Sequence, residues 1–285
     1  MIWTTLTGKL EQAKRLDPVV NAVTGAVDAV LPRGIVKDAL HGTWLGHSLH
    51  PMLVALPIGM WSGASLLDLT GGPGSRRAAK RLVGAGVLAV LPTAASGLAD
   101  WSELGEARAP RRVGLVHALA NTATTVAYGA SWLARRRGDQ ARGRNLALLG
   151  TGGLVVSGYL GGHLAYGQGV GVNRNADASH QPTEWTDACA VADLQDATPH
   201  RTQVAGQPVV LVETAGAIAA MGATCSHYGA PLDEGEVRDG CLVCPWHGSA
   251  FRLRDGSVAH GPATVPQASY DVQRVGDRVQ VRVRG

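Results

Sequence analysis

The sequence predicts a chain of two unlike parts: an N-terminal all-α four-helix transmembrane bundle and a C-terminal all-β domain. Three observations predict it. Four long runs contain no Asp, Glu, Lys or Arg: residues 39–67 (apolar from Met52 to Leu67), Leu82 to Ala99, Val113 to Ala134 and Asn145 to Tyr166. Each is about long enough to cross the hydrocarbon core of a bilayer. Arg-rich turns separate the runs, as expected of membrane passes and not of a soluble bundle. Beyond residue 183 the pattern changes to short alternating stretches bounded by turn residues.

In chain order, residues 1–38 read as an amphipathic N-terminal segment. Val20, Val23, Val27 and Leu31 recur at helical spacing, with Asp17-Pro18 as a start and Pro32-Arg33-Gly34 as a stop. Such a helix lies against a membrane surface or packs under a neighbouring domain. Residues 39–166 hold the four passes, in which Pro57 and Gly59 are tolerable. Residues 167–182, rich in Gly, Asn and Ala, read as a linker, with a root-mean-square reach of roughly 20 Å if flexible. Residues 183–285 form the β domain. Its expected strands include Cys189 to Ala192, Val209 to Glu213, Gly240 to Val243 and Val279 to Val283, and Asp239-Gly240 and Asp255-Gly256 mark tight hairpins.

The net charge of +4 does not point to nucleic acid, because the basic residues gather at the ends of the apolar runs, where they orient a membrane protein. Lys9, Glu11, Lys14 and Arg15 interrupt any signal-peptide core near the start. The four cysteines are too few for a disulfide scaffold, although Cys189 and Cys241 leave room for one bridge.

The chemistry concentrates in Cys225-Ser-His227 and Cys244-Pro-Trp-His247. Each pair offers one thiolate and one imidazole. A Cys2His2 zinc site is one reading of four such donors. Zinc pairs more often match Cys with Cys and His with His, whereas one of each per loop suits the two irons of a [2Fe–2S] centre. The flanks His227-Tyr-Gly-Ala-Pro-Leu232 and Cys244-Pro-Trp-His-Gly-Ser-Ala-Phe251 resemble those of Rieske domains. The resemblance implies stacked antiparallel sheets, with Cys225 and Cys244 on an inner iron and His227 and His247 on an outer, solvent-facing one. Electrons would pass through the histidine edge, with no substrate transformed there. It also implies tuning. The loop disulfide of high-potential members would fall at Ala230 and Trp246 and is absent. Ser249 matches the hydroxyl donor to a bridging sulfide, and Phe251 stands where a tyrosine hydroxyl would reach a cysteine sulfur. One donor of two implies an intermediate or low potential.

The first half has its own resemblance. His41-Gly-Thr-Trp-Leu-Gly-His-Ser-Leu-His50-Pro51, Pro57-Ile-Gly59 and Gly161-Gly-His-Leu-Ala-Tyr-Gly167 are similar to a bacterial four-helix membrane-domain family of unknown function, over residues 15–172. Threading the passes up and down puts His47, His50, Asp100, His117 and His163 on one face. Intramembrane ionisable residues usually carry function. His117 and His163 on neighbouring passes suit bis-His haem b, with His50 able to replace either. A quinone pocket, a polar structural network or another metal are the alternatives. His41, His180, His200 and His260 read as surface or linker residues.

Nine basic residues in the first and third turns, against six on the opposite face, place the β domain outside the cytoplasm. Cluster assembly inside the cell, and the lack of an N-terminal twin-arginine signal, favour the cytoplasmic side of a bacterial plasma membrane. The expected function is a membrane-anchored electron carrier, a component and not a stand-alone enzyme, whose [2Fe–2S] head serves a haem, a quinone or a redox partner protein. A ferredoxin-like donor to a separate oxygenase and a redox sensor are its rivals.

Overall fold

A computed structural model of the protein describes residues 2–105, 107–176 and 181–284. His180 lies outside the described residues. The helices are α1 (Ile2–Glu11), α2 (Asp17–Val30), α3 (Ile35–His41), α4 (Leu49–Thr70), α5 (Arg76–Ser102), α6 (Arg108–Arg136) and α7 (Gln140–Gly162). The strands are β1 (Thr186–Ala190), β2 (His200–Val204), β3 (Gln207–Thr214), β4 (Ala217–Gly222), β5 (Glu236–Arg238), β6 (Cys241–Val243), β7 (Ala250–Arg252), β8 (Val258–His260), β9 (Ser269–Val275) and β10 (Arg278–Val283). The two compact units are Met1–Pro32 with Leu49–Val170, and Arg33–Ser48 with Gly171–Gly285. Residues 33–48 therefore fold with the β domain, where the sequence pattern had grouped them with the helices.

In the helical unit the four expected long helices are joined by the shorter α1 and α2. Pro18 opens α2, its missing N–H costing nothing at a helix start. Asp139 caps α7, its carboxylate accepting from Arg142 N at 3.0 Å. Inside α4, Pro57 deprives the Leu53 carbonyl of its usual donor, and the Thr93 hydroxyl on α5 lies 3.4 Å from that oxygen. The core of the unit centres on Trp61 and Tyr128, stacked at 4.2 Å, with Ala64, Ala79, Val83 and Ala147 around them. Their polar ends are satisfied within it: Trp61 Nε1 donates to Val83 O at 3.2 Å, and Tyr128 Oη lies 3.0 Å from Thr151 Oγ1.

Two stretches, Leu49–Thr70 and Pro73–Ser102, are long and apolar enough to cross a membrane. The third and fourth expected passes, α6 and α7, fall short of that apolarity. Asn121, Thr122, Thr124, Thr125 and Ser131 interrupt α6, and Asn145, Thr151 and the glycines from Gly150 to Gly162 dilute α7. Large apolar side chains are nonetheless exposed on all four: Leu66 on α4, Leu88 and Leu91 on α5, Leu119 and Val126 on α6, and Leu149 and Val155 on α7.

The β unit contains a six-stranded antiparallel sheet in the order β1-β10-β9-β4-β3-β2 and a four-stranded one in the order β5-β6-β7-β8. Thr202 Oγ1 on β2 donates to Ala188 O on β1 at 2.8 Å, drawing the two ends of the larger sheet together. Val204, Val209, Leu211, Val279, Val281 and Tyr270 fill one core, while Met221, Leu232, Leu242 and Phe251 pack a second core against Cys225 and Cys244.

Asp239-Gly240 forms the expected tight hairpin, with both residues at positive φ. Asp255-Gly256 instead ends a longer turn between β7 and β8, where Asp255 Oδ1 accepts from Ser257 N at 2.9 Å. Two tight turns of the large sheet use Ala205-Gly206 and Ala215-Gly216, in which an alanine carries the first positive φ. No disulfide joins the four cysteines.

Candidate metal centre

The centre is built from two loops with the same backbone wiring. In the first, Cys225 N donates to Ala230 O (2.8 Å) and Gly229 N to Cys225 O (2.9 Å); in the second, Cys244 N donates to Ser249 O (2.8 Å) and Gly248 N to Cys244 O (3.1 Å). Gly229 and Gly248 each turn the chain back at a positive φ that an L side chain resists. Both loops thus hold a cysteine at their base and a histidine at their crest.

The thiols are sealed from water, Cys225 at 1% and Cys244 at 3% exposure, and are hydrogen-bonded to each other. The Cys244 sulfur and burial push the Cys225 thiol well above its usual range, against the amides of His227 and Tyr228. Cys244 is lowered to about 6 by the Cys225 hydrogen bond, against burial and with help from the Trp246 and His247 amides. Four backbone N–H groups therefore point at two sulfurs, an environment that favours thiolates. The imidazoles of His227 and His247 stand edge to face with ring centroids 5.1 Å apart.

This donor set fits a two-iron cluster better than one ion. Ligands of a tetrahedral zinc at about 2.0–2.3 Å would lie within roughly 4 Å of one another. Among the described residues, only Cys189, Asp193 and His200 bring three His, Cys or carboxylate donors within 4.8 Å. No three donors of the two loops converge so closely.

Around the loops, Ser249 is fully buried and its Oγ accepts from Ala263 N at 2.9 Å, leaving its own proton to donate. Phe251, also fully buried, packs in the same core as both cysteines. Ala230 and Trp246 form no bridge, and Trp246 is exposed. Replacing Ser249 with Ala should lower the midpoint potential by roughly 20–65 mV, the one-electron equivalent of one ordinary hydrogen bond, measurable by a redox titration.

Several neighbours escaped the sequence reading. Asp38 on α3 accepts from His260 Nδ1 and from Gly261 N, both at 2.9 Å. His41, expected at the surface, is 2% exposed and packs beside Gly261. The Arg33 guanidinium lies against Gly248, next to His247. Arg174 N donates to Ser226 O at 3.1 Å and its guanidinium covers the Tyr228 ring, so part of the expected linker is pinned to the first loop. His200 is half-buried beside Cys189 and Asp193. No local pattern marks these partners. Asp38→Ala should speed exchange of the Gly261 amide at least about fivefold in hydrogen–deuterium exchange, since about 1 kcal/mol of hydrogen bonding is lost there.

In the helical unit the expected haem ligands separate. His117 Nδ1 lies 2.9 Å from Ser157 O, and His50 Nδ1 lies 3.0 Å from Thr93 O. His163 sits in a π-helical turn, His163–Gly167, with Nε2 2.7 Å from Glu11 Oε1 on α1. That contact ties the end of α7 to α1. Asp100 is half-buried on α5, and His47, exposed, belongs to the β unit.

Comparison with known proteins agrees with this division. Residues 184–271 match the Rieske [2Fe-2S] domain, and residues 46–174 match a predicted membrane protein family, DUF2231. The anthranilate 1,2-dioxygenase ferredoxin subunit of Burkholderia cepacia is 35% identical over 101 residues, covering 35% of this chain and 93% of that protein. Human apoptosis-inducing factor 3 is 33% identical over 94 residues, and the match spans 33% of this chain but only 16% of that protein. The ferredoxin of carbazole 1,9a-dioxygenase from Nocardioides aromaticivorans IC177 aligns with 26% identity and a TM-score of 0.34, over 35% of this chain and 98% of its own. The chain is therefore a member of the Rieske [2Fe-2S] family, an electron-transfer domain joined to an N-terminal DUF2231 membrane-protein domain.

Proposed function

We propose that the protein is a membrane-anchored one-electron carrier of the bacterial plasma membrane. In this reading Cys225 and Cys244 hold one iron of a [2Fe–2S] cluster and His227 and His247 the other. The observation that carries it is the pair of identically wired loops, no three of whose donors lie as close together as the ligands of a single ion. When bound, such a cluster supplies reversible one-electron chemistry. The chain does the rest. Amides of His227, Tyr228, Trp246 and His247 stabilise sulfur charge, Phe251, Leu232 and Leu242 exclude water, and Ser249 is poised to donate a proton toward a sulfide.

All four long helices cross the bilayer in this reading, which the outward-facing leucines and valines on each of them support. The β domain faces the cytoplasm, where clusters are assembled. Electrons are exchanged with a haem or quinone held by the helices and with a redox partner protein. The deciding experiment adds a short-chain quinol to the purified full chain and follows cluster reduction by paramagnetic resonance. Reduction within seconds supports the reading, and a cluster that stays oxidised removes quinone.

A second reading has its own support: 93% of a dioxygenase ferredoxin subunit is covered by this β domain. The protein would then feed a separate oxygenase, with the helices as an anchor. Electron delivery to a Rieske oxygenase by a helix-free fragment, at the rate of the full chain, would favour it.

A further inference from the structure

The four long helices are two copies of one hairpin. His50 on α4 and His117 on α6 each precede an aromatic residue, Trp61 or Tyr128, by about three helical turns. On the returning helices, Thr93, Gly97 and Gly86 of α5 recur at the same spacing as Ser157, Gly161 and Gly150 of α7. The contacts repeat with the spacing. His50 bonds the carbonyl of Thr93, and His117 that of Ser157, at 3.0 and 2.9 Å. A Cβ on Gly97 would come within 2.7 Å of the His50 ring, and one on Gly161 within 3.1 Å of the His117 ring. Gly86 and Gly150 likewise make room for the rings of Trp61 and Tyr128. These two rings stack on each other where the hairpins meet. One step further along, the equivalent positions Asp68 and Arg135 pair.

The repeat gives the histidines a common chemistry. α4 packs against α5 and α7, and α6 against the same two, so α4 and α6 stand on one diagonal of the bundle. The two imidazoles stand at matching depth, each eleven residues before one of the two rings that stack where α4 meets α6. A carbonyl oxygen cannot donate, so Nδ1 carries the proton in both rings and Nε2 keeps its lone pair. At His117 this is seen twice, because Asn121 Nδ2 donates to Nε2 at 3.1 Å, an amide that must turn aside before Nε2 can bind a metal. Two neutral imidazoles are too few for a bare ion, which needs about four donors, and no third donor joins them within 4.8 Å. A porphyrin iron brings four nitrogens of its own and asks the protein for two axial ligands.

We propose that Nε2 of His50 and Nε2 of His117 are the axial ligands of one b-type haem in the bundle core, and that His163 is not a ligand. The role of this haem as redox group rests on the electron-carrier reading above; its binding does not. His163 is accounted for by its bond to Glu11.

The test uses the full chain, made in cells supplied with 5-aminolevulinate and purified in detergent. Optical spectra, pyridine-haemochromogen content and the paramagnetic signal of the reduced iron–sulfur cluster are recorded on each sample. The expected result is about one low-spin haem per chain. His50→Ala and His117→Ala should each lower haem content by roughly 10–100-fold, while His163→Ala keeps it and every variant keeps the iron–sulfur signal. His117→Gly should regain the low-spin spectrum when haemin and free imidazole are added, which a merely misfolded variant would not do. Haem-free wild type that still fails to take up added haemin, with its iron–sulfur signal intact, overturns the haem and leaves the carrier reading standing. Wild type that binds haem but shows no iron–sulfur signal does the reverse. Haem lost from His163→Ala and retained in His50→Ala overturns the ligand pair.

Discussion

Cys244→Ser should leave the full-length protein with almost none of the low-g paramagnetic signal that the dithionite-reduced wild type shows. The Cys244 sulfur sits at the base of its loop, 3% exposed, and receives the amides of Trp246 and His247. A serine oxygen is shorter and harder, and its alkoxide is far less accessible at neutral pH than a thiolate already lowered to about 6. His247→Cys tests the other half of the donor set. It should abolish the signal or move it toward that of an all-cysteine cluster, because a charged sulfur replaces a neutral nitrogen on the outer iron. Iron and labile sulfide, assayed on the same samples, should fall with the signal. A colourless wild type that carries a single zinc would overturn the assignment.

Asp68→Asn should destabilise the helical unit by roughly 3–5 kcal/mol, the usual result of stripping one partner from a buried ion pair. Arg135 Nη1 donates to Asp68 Oδ1 at 2.9 Å, a second bond joins Nη2 to Oδ2, and Arg135 Nε reaches Ser131 Oγ at 3.1 Å. The side chains are 1% and 6% exposed, so the guanidinium left behind has little water to turn to. The double variant Asp68→Leu with Arg135→Met removes both charges and should recover much of the loss. Thermal unfolding in detergent, followed by near-ultraviolet dichroism, reads both. Equal melting temperatures for wild type and Asp68→Asn would show that the pair contributes nothing.

The metal centre was legible because its information is local. Two short motifs, each with a glycine that turns the chain, specify two loops, and the structure adds only that their backbone bonds match. The long helices were legible from their lack of charge. What surrounds the loops was not. Asp38 meets His260 and Gly261 from the opposite end of the chain, and nothing in either stretch names the other. Turns divided on chemistry: Asp239-Gly240 announces itself, whereas Ala205-Gly206 adopts the same backbone under strain that its strands impose. For the histidines of the helical unit, spacing along the chain sets depth but not direction around each helix. Depth matches His117 with His163, but His163 turns to Glu11 while His117 turns to the Ser157 carbonyl. The hairpin repeat was hidden because Tyr128 replaces Trp61 and Arg135 replaces Asp68. Its signature survives in the spacing of histidines and glycines.

The strip Arg33–Ser48 is made early and used late. The ribosome completes it before any of the four long helices, yet its partners Gly248, His260 and Gly261 come from the last part of the chain. At roughly 5–20 residues per second, it waits on the order of ten seconds or more for a surface to bind. During that interval the four long helices are made, and Asp38 waits for the two groups it will bind. The β domain is thereby completed only after the chain between its two pieces has been made, and a fragment that begins at Gly171 would present its loops without the strip that fastens them.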